Sequence, residues 1–280
     1  MAYSLAGRAP AKRDQTVIDL RQPYPHMPPP ASVESAGPAV ADRGLGADAS
    51  PSAETLEDEI RRRVAEAIAA HPQRPRPVYE LSKRTIDVVV AATLLFVTWP
   101  LIAALALIIR LESRGAAVFR QRRVGRDGEV LRFCKFRTMY TDARERFPEL
   151  YDYTFTAEEF ATSFYKPSVD PRNTPFGRAL RTTTLDELPN LFNVLKGDVS
   201  LVGPRPELPE LVRYYTPEQL LKFSVKSGIT GLAQVSGRNN LTIQEQIAAD
   251  LEYVERCSIL YDLRLIGRTA VMVLKRVGAE

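Results

Sequence analysis

The chain has 280 residues, a formal charge of +4, two cysteines (Cys134, Cys257) and two histidines (His26, His71). That length suits one domain with accessory segments, and two thiols argue against a disulfide framework or a zinc site. Both histidines precede the long apolar run, so Ser-His-Asp, Cys-His and histidine-metal schemes are not expected in the main domain.

Residues 1–78 hold eleven of the twenty-one prolines among scattered Ala, Ser and Asp. Such a stretch cannot bury enough surface to offset its ordering entropy, and it is expected to be a disordered tail. Its first thirty residues lack an apolar core of signal-peptide length, so no cleavable leader is expected there. Within it, Ser52 or Thr55 could cap a short helix running to Ala70, expected to be transient and solvated.

Residues 88–109 form an uncharged run of twenty-two residues with Thr98-Trp99-Pro100 at its midpoint. At about 1.5 Å per residue, such a helix just covers a bilayer core of roughly 30 Å. Lys83 and Arg84 precede the run; Arg110, Arg114, Arg120, Arg122 and Arg123 follow it. Positive charge marks the cytoplasmic side, and here both flanks carry it. A helix that breaks at Pro100 and returns within one leaflet satisfies both flanks, and a spanning helix with a proline kink is the alternative. Thr98 could offer its hydroxyl to a carbonyl freed at the break.

Beyond the run, Val118-Phe119 and Val130–Phe136 read as a hairpin around the turn Gly125-Arg126-Asp127-Gly128. Residues 144–170 read as a helix and a loop, and Leu185–Leu195 as a short helix ending at Gly197. Residues 217–224 and 242–257 are helical by pattern. In 263–276, Leu263, Ile266, Ala270, Val273 and Leu274 share one face, away from Arg264, Arg268, Lys275 and Arg276. A basic amphipathic helix of this kind lies on a membrane surface or turns its apolar face to a core.

Asp186 and Glu187 stand side by side in TTTLDELP (182–189). Thr184 and Glu187 have capping-box spacing, so both carboxylates could simply open a helix. Against that, Pro189 would fall past the first turn, where proline sits comfortably. In Gly203-Pro204-Arg205-Pro206, two prolines fix the backbone around one guanidinium that could grip a phosphate, although a surface turn reads the same way. Lys135 and Arg137 share one face of a strand. Gly228–Gly231 and Ser236-Gly237-Arg238-Asn239 are glycine-rich loops, and Asp170-Pro171-Arg172 is a turn signal. Nothing interleaves basic residues with aromatics, so nucleic acid is not an expected partner. The set suits a phosphorylated or pyrophosphorylated substrate at a bilayer surface, with a divalent cation on the carboxylates.

From about Leu81 to Arg276 the chain resembles the bacterial sugar transferases, the monotopic phosphoglycosyl transferases. The motifs are KRTID (83–87), QRRVG (121–125), KFRTM (135–139), DPRNTPFGRALR (170–181), LDELPNLFNVLKGDVSLVGPRP (185–206), GITGLAQVSGRN (228–239) and YVERCSILYDLRL (253–265). The resemblance implies transfer of a sugar 1-phosphate from a UDP-sugar to undecaprenyl phosphate with release of UMP. This is the first step of exopolysaccharide or glycoconjugate assembly, on the cytoplasmic face of the bacterial inner membrane. It further implies that Asp186 is the nucleophile of a covalent phosphosugar intermediate and that Glu187 is a ligand of Mg2+. Lys135, Arg137, Arg181, Arg205, Arg238 and Asp250 match polar positions around the family's substrate site. A re-entrant helix broken at Pro100 is likewise implied.

The expected architecture is therefore α+β and mainly helical. It comprises a proline-rich tail (1–78), a re-entrant membrane helix (79–112) and a cytosolic transferase domain (113–280) with a small hairpin and amphipathic surface helices. The tail is a candidate contact for polysaccharide-assembly proteins. Two departures from the family pattern bear on loop stiffness: Ser113-Arg114-Gly115-Ala116 stands where Ser-Pro-Gly-Pro is common, and Ser227 replaces a proline before GITG. A non-catalytic membrane adaptor is the competing reading from another class, and direct transfer without an enzyme adduct is a third.

Overall fold

Ile60, Val64 and Ala67 recur at the spacing that gives a helix one apolar stripe, and they open the folded part of the chain. The computed structural model describes residues 53–151, 153–163, 170–237 and 240–275. Helix α1 (Ala53–Ala70) buries that stripe against Leu208, Val212, Tyr215, Leu220, Phe223 and Ile243. Arg63 reinforces the contact by donating to the carbonyls of Arg213 (3.2 Å) and Tyr215 (2.7 Å). The expected transient, solvated helix is thus part of the core. Its partners lie some 150 residues downstream, which is why local pattern did not reveal them. Thr55 falls inside α1 rather than at its cap; Ser52 and the tail before it lie outside the described residues.

Helix α2 (Pro77–Glu112) carries the apolar run. Thirty-six residues amount to about 54 Å of helix. Only 11% of its most apolar window is buried, and Phe96, Val97, Trp99 and Leu111 are exposed. Pro100 lies within this helix, where two separate helices were expected. Proline removes one ladder bond, the one to the Phe96 carbonyl, and leaves its neighbours in place, so it bends a helix more readily than it ends one. The Thr98 hydroxyl donates to the Leu94 carbonyl (2.6 Å), not to the carbonyl that Pro100 frees.

Both ends of α2 are fastened to the same folded unit. Near its start, Lys83 pairs with Asp262 (2.7 Å), and Arg84 donates to the carbonyls of Val194 (2.6 Å) and Leu195 (2.7 Å). Asp87 accepts from the Ser200 hydroxyl (3.0 Å) and the Leu201 amide (2.9 Å). At its end, Glu112 accepts from the Thr174 hydroxyl (2.8 Å) and the Phe176 amide (3.0 Å). The KRTID motif is therefore a set of structural ties.

Strands β1 (Val118–Val124) and β2 (Val130–Phe136) form the expected antiparallel hairpin, with Val124 opposite Val130. Its turn holds Asp127 at φ 57° and Gly128 at φ 77°. A β-carbon on Gly128 would lie 3.0 Å from the Arg61 α-carbon, so α1 can close on the turn only over glycine. Helix α3 (Pro175–Thr183) is capped by the Thr174 hydroxyl, and helix α4 (Asn190–Lys196) ends, as expected, at Gly197. Strand β3 (Ser200–Val202) runs parallel to β4 (Gly228–Thr230), a pairing that the glycine-loop reading of 228–231 did not anticipate. At this crossing Gly203 and Gly228 meet backbone to backbone, since a β-carbon on Gly228 would stand 2.1 Å from the Gly203 nitrogen.

Helix α5 (Ile243–Arg256) opens with a Thr242–Glu245 capping box, and helix α6 (Ile259–Lys275) follows it closely. On α6, Leu265 is buried while Leu263, Ala270 and Val273 are exposed, so most of the anticipated apolar face turns outward, away from the core. The molecule is mainly helical, with two small two-stranded sheets among the described residues.

Ile60→Ala removes a fully buried side chain from the α1 contact and is expected to cost about 2–5 kcal/mol. Exposed Glu59→Ala should cost no more than about 0.5 kcal/mol. Denaturant unfolding of the full chain checks both, and equal costs would place α1 outside the cooperative unit.

Candidate active site

The carboxylate pair lies where α3 gives way to α4. Thr184 ends α3 in the left-handed conformation (φ 62°), and one 3-10 turn, Leu185–Glu187, follows before Pro189 and α4. A left-handed threonine is uncommon and costs of order 1 kcal/mol or more, and strain of this kind concentrates at functional sites. The Thr184 side chain caps nothing here, so the capping-box reading of Thr184 and Glu187 fails. The expected single helix from Leu185 is likewise split, since Pro189 stands at its boundary.

Glu187 is instead turned inward. Its Oε1 accepts from Lys135 Nζ (2.5 Å), on β2, and from Arg205 (3.1 Å), in the proline-bounded loop after β3. Its Oε2 accepts from the Asn190 amide at the start of α4. Burial alone would raise the Glu187 carboxyl, but Lys135 and Arg205 outweigh that and hold it ionised, well below the usual carboxylate range. Burial pulls the Lys135 ammonium below an ordinary lysine, against the opposing attraction of Glu187 and Asp186. Asp186 is buried beside this cluster, within the field of Lys135.

The structure therefore brings together Asp186, Glu187, Lys135 and Arg205 from three segments of sequence. Arg137 is not among them: it donates to the carbonyls of Ile109 (3.2 Å), Ser113 (2.6 Å) and Arg114 (3.1 Å), closing the end of α2. The strand alternation that joined it to Lys135 ends at Phe136. Arg181 donates to Asn173 (2.9 Å) and pairs with Asp170 (3.4 Å), which Arg172 also grips through two nitrogens at 2.9 Å. Asp250 is buried and paired with Lys222 (2.8 Å), so its side chain faces the interior. Arg238 lies outside the described residues. Asn190, Lys222 and Glu207 were not singled out in the sequence. For Asn190 a signal existed, because it follows Glu187 by three residues, a spacing that lets side chains meet on a helical turn.

Among the described residues no three His, Cys, Asp or Glu side chains converge as a metal cage. Magnesium does not require one: it takes one or two carboxylates and completes its shell with phosphate and water oxygens. The Asn190 Oδ1 atom is buried without a partner beside Glu187, and the neighbouring Asp186 adds a second carboxylate. This all-oxygen donor set fits magnesium.

Residues 78–276 match the family described as bacterial sugar transferase. The chain belongs to that family. Helix α1 precedes the matched segment. The sugar transferase chain is 39% identical to the galactosyl transferase CpsE of Streptococcus agalactiae over 202 residues, covering 71% of this chain and 44% of that one. It is 39% identical to a UDP-glucose:undecaprenyl-phosphate glucose-1-phosphate transferase of Caulobacter vibrioides over 208 residues, 71% of this chain and 72% of that one. To the exopolysaccharide production protein ExoY of Rhizobium meliloti it is 33% identical over 204 residues, 73% and 90% of the two chains. The chain thus spans less than half of CpsE and most of ExoY.

Burial opposes ionisation of Asp170, but the hydrogen bonds and charges of Arg172 and Arg181 win and hold its carboxyl below the ordinary value. Such a group stabilises the fold above about pH 4, and the contribution fades as pH falls. Asp170→Asn should lower the Tm at pH 7, with the gap to wild type narrowing steadily below about pH 4. A gap unchanged at pH 3 would show that the charge is not its source.

Proposed function

We propose that this sugar transferase moves a sugar 1-phosphate from a UDP-sugar to undecaprenyl phosphate, releasing UMP, through a covalent adduct on Asp186. The observation that carries the reading is the strained turn that sets Asp186 beside a Glu187 already neutralised by Lys135 and Arg205. The name of the Caulobacter relative supports both substrate classes, and that of the Streptococcus relative supports transfer of a sugar.

Asp186 and Glu187 are adjacent but differently equipped. Lys135, Arg205 and Asn190 occupy the Glu187 oxygens, which suits that side chain to holding charge in place. Asp186, on the same turn, makes the attack. One of its carboxylate oxygens bonds to the sugar-bearing phosphorus, the bond from that phosphorus to the bridging oxygen breaks, and UMP leaves with the electron pair. An oxygen of undecaprenyl phosphate then attacks the same phosphorus and returns the aspartate. Two steps let a soluble donor and a lipid acceptor use one site in turn. The Asn190 side-chain Oδ1 and the one lone pair left on Glu187 Oε2 would hold a magnesium ion, whose charge offsets that of the pyrophosphate. Lys135 and Arg205 supply further positive charge where the leaving phosphate gathers negative charge.

The acceptor requires a membrane position. Both ends of α2 are tied to one folded unit while its middle is apolar and exposed, and both flanks are basic. These features support a helix that dips into the inner leaflet and returns to the cytoplasmic face.

Asp186→Asn should lower UMP release by about a thousandfold or more. Mass spectrometry of wild type incubated with its donor should find a phosphosugar on Asp186. Full turnover by the variant would remove the covalent step. No release from any UDP-sugar, with undecaprenyl phosphate present, would instead favour an adaptor.

For topology, Ser82→Cys and Arg114→Cys, each in a chain freed of Cys134 and Cys257, should both react with an impermeant maleimide from the cytoplasmic side. Reaction from opposite sides would make α2 a spanning anchor.

A further inference from the structure

Beneath Arg205 lies a second group of charges that the proposed chemistry does not use. Lys222 is 2% exposed and sits between Asp250 Oδ2 (2.8 Å) and Glu207 Oε2 (3.6 Å). Glu207 is two residues past Arg205. Its Oε2 also accepts from the Tyr215 hydroxyl (2.8 Å), and its Oε1 accepts from the Leu208 amide (2.9 Å) and faces Arg123 (3.8 Å). On the other side, Asp250 reaches Glu207 only through Lys222, which both carboxylates face.

The geometry points to Lys222, Asp250 and Glu207 as positioning residues that hold the Arg205 backbone where its guanidinium meets Glu187. This rests on the role given to Arg205 in the proposed reaction. The alternative is that the group merely stabilises the core. Burying three charges is a poor way to do that, since each ion gives up its hydration and apolar side chains of similar size serve as well or better.

The placement of the charges favours a local task. They grip the Arg205 loop two positions past the residue that matters, through Glu207, which Lys222, Tyr215 and Arg123 face and Asp250 backs through Lys222. The rest of the loop is fixed by backbone bonds: Gly203 N–H to the Thr230 carbonyl (2.9 Å), Gly228 N–H to the Pro204 carbonyl (2.9 Å) and a reciprocal pair between Val124 and Glu207 (2.7 and 3.0 Å). Arg123 adds a bond to the Pro206 carbonyl (3.3 Å). Pro204 and Pro206 restrict the backbone on either side.

A double-mutant cycle on the full chain in detergent tests the assignment. Asp250→Asn should lower kcat for UMP release about tenfold when Arg205 is present, and less than twofold in an Arg205→Ala background. Equal losses in both backgrounds would overturn it. Lys222→Arg, which keeps the charge, should retain most of the wild-type kcat. A second readout does not depend on turnover: Asp250→Asn should speed amide hydrogen exchange in the Gly203–Leu208 segment while leaving α1 unchanged. Uniform acceleration across both would overturn the assignment and leave a general stabilising role. If Asp250→Asn does not fold, Glu207→Gln takes its place in both measurements with the same expectations. A wild type that releases no UMP from any UDP-sugar would sink the proposed reaction, whereas the exchange result would still judge the positioning role.

Discussion

A carboxylate taken out of water must be compensated, and the Glu187 side chain draws its compensation from three separate places. Lys135 arrives on β2, Arg205 on the loop after β3, and Asn190 at the head of α4. None of these lies near Glu187 in sequence except Asn190. Their meeting requires the hairpin, the parallel β3–β4 pair and the α3–α4 junction to be in register at once. A buried ion with part of its shell missing costs several kcal/mol, so this convergence ties the integrity of the site to that of the fold. Asp186 is positioned as a by-product: the turn that sends Glu187 inward fixes the residue before it.

The membrane helix obeys a different constraint. Lipid contact requires apolar side chains and a satisfied backbone, and α2 meets both along its exposed middle. Its ends cannot do so and are polar instead. Lys83, Arg84 and Asp87 at one end and Glu112 at the other are each matched by a group on the folded unit. The charged residues of this region are fasteners, which also explains why Arg137 closes the helix end and takes no place beside Lys135.

How much was legible in advance follows from the range of the interactions. The hairpin, the apolar helix, the Gly197 stop and the acidic pair were readable because each depends on neighbours a few residues away. Asp250 and Arg181 were marked for the substrate site, yet the structure pairs them with Lys222 and Asp170, partners that follow from tertiary packing. The capping-box spacing at Thr184 misled for the same reason: a local bond was available, and Lys135 and Arg205 offered the carboxylate a better one. The α1 stripe, three modest side chains in a charged segment, gave no hint that a groove waited for it 150 residues later.

That groove carries a practical consequence. The recognisable transferase segment begins at residue 78, whereas α1 ends at Ala70. A protein trimmed to the recognisable segment would expose Val212, Tyr215, Leu220 and Phe223 as an open oily trench. Patches of that kind invite self-association during expression. Gene fragments meant for purification should therefore begin upstream of Ala53.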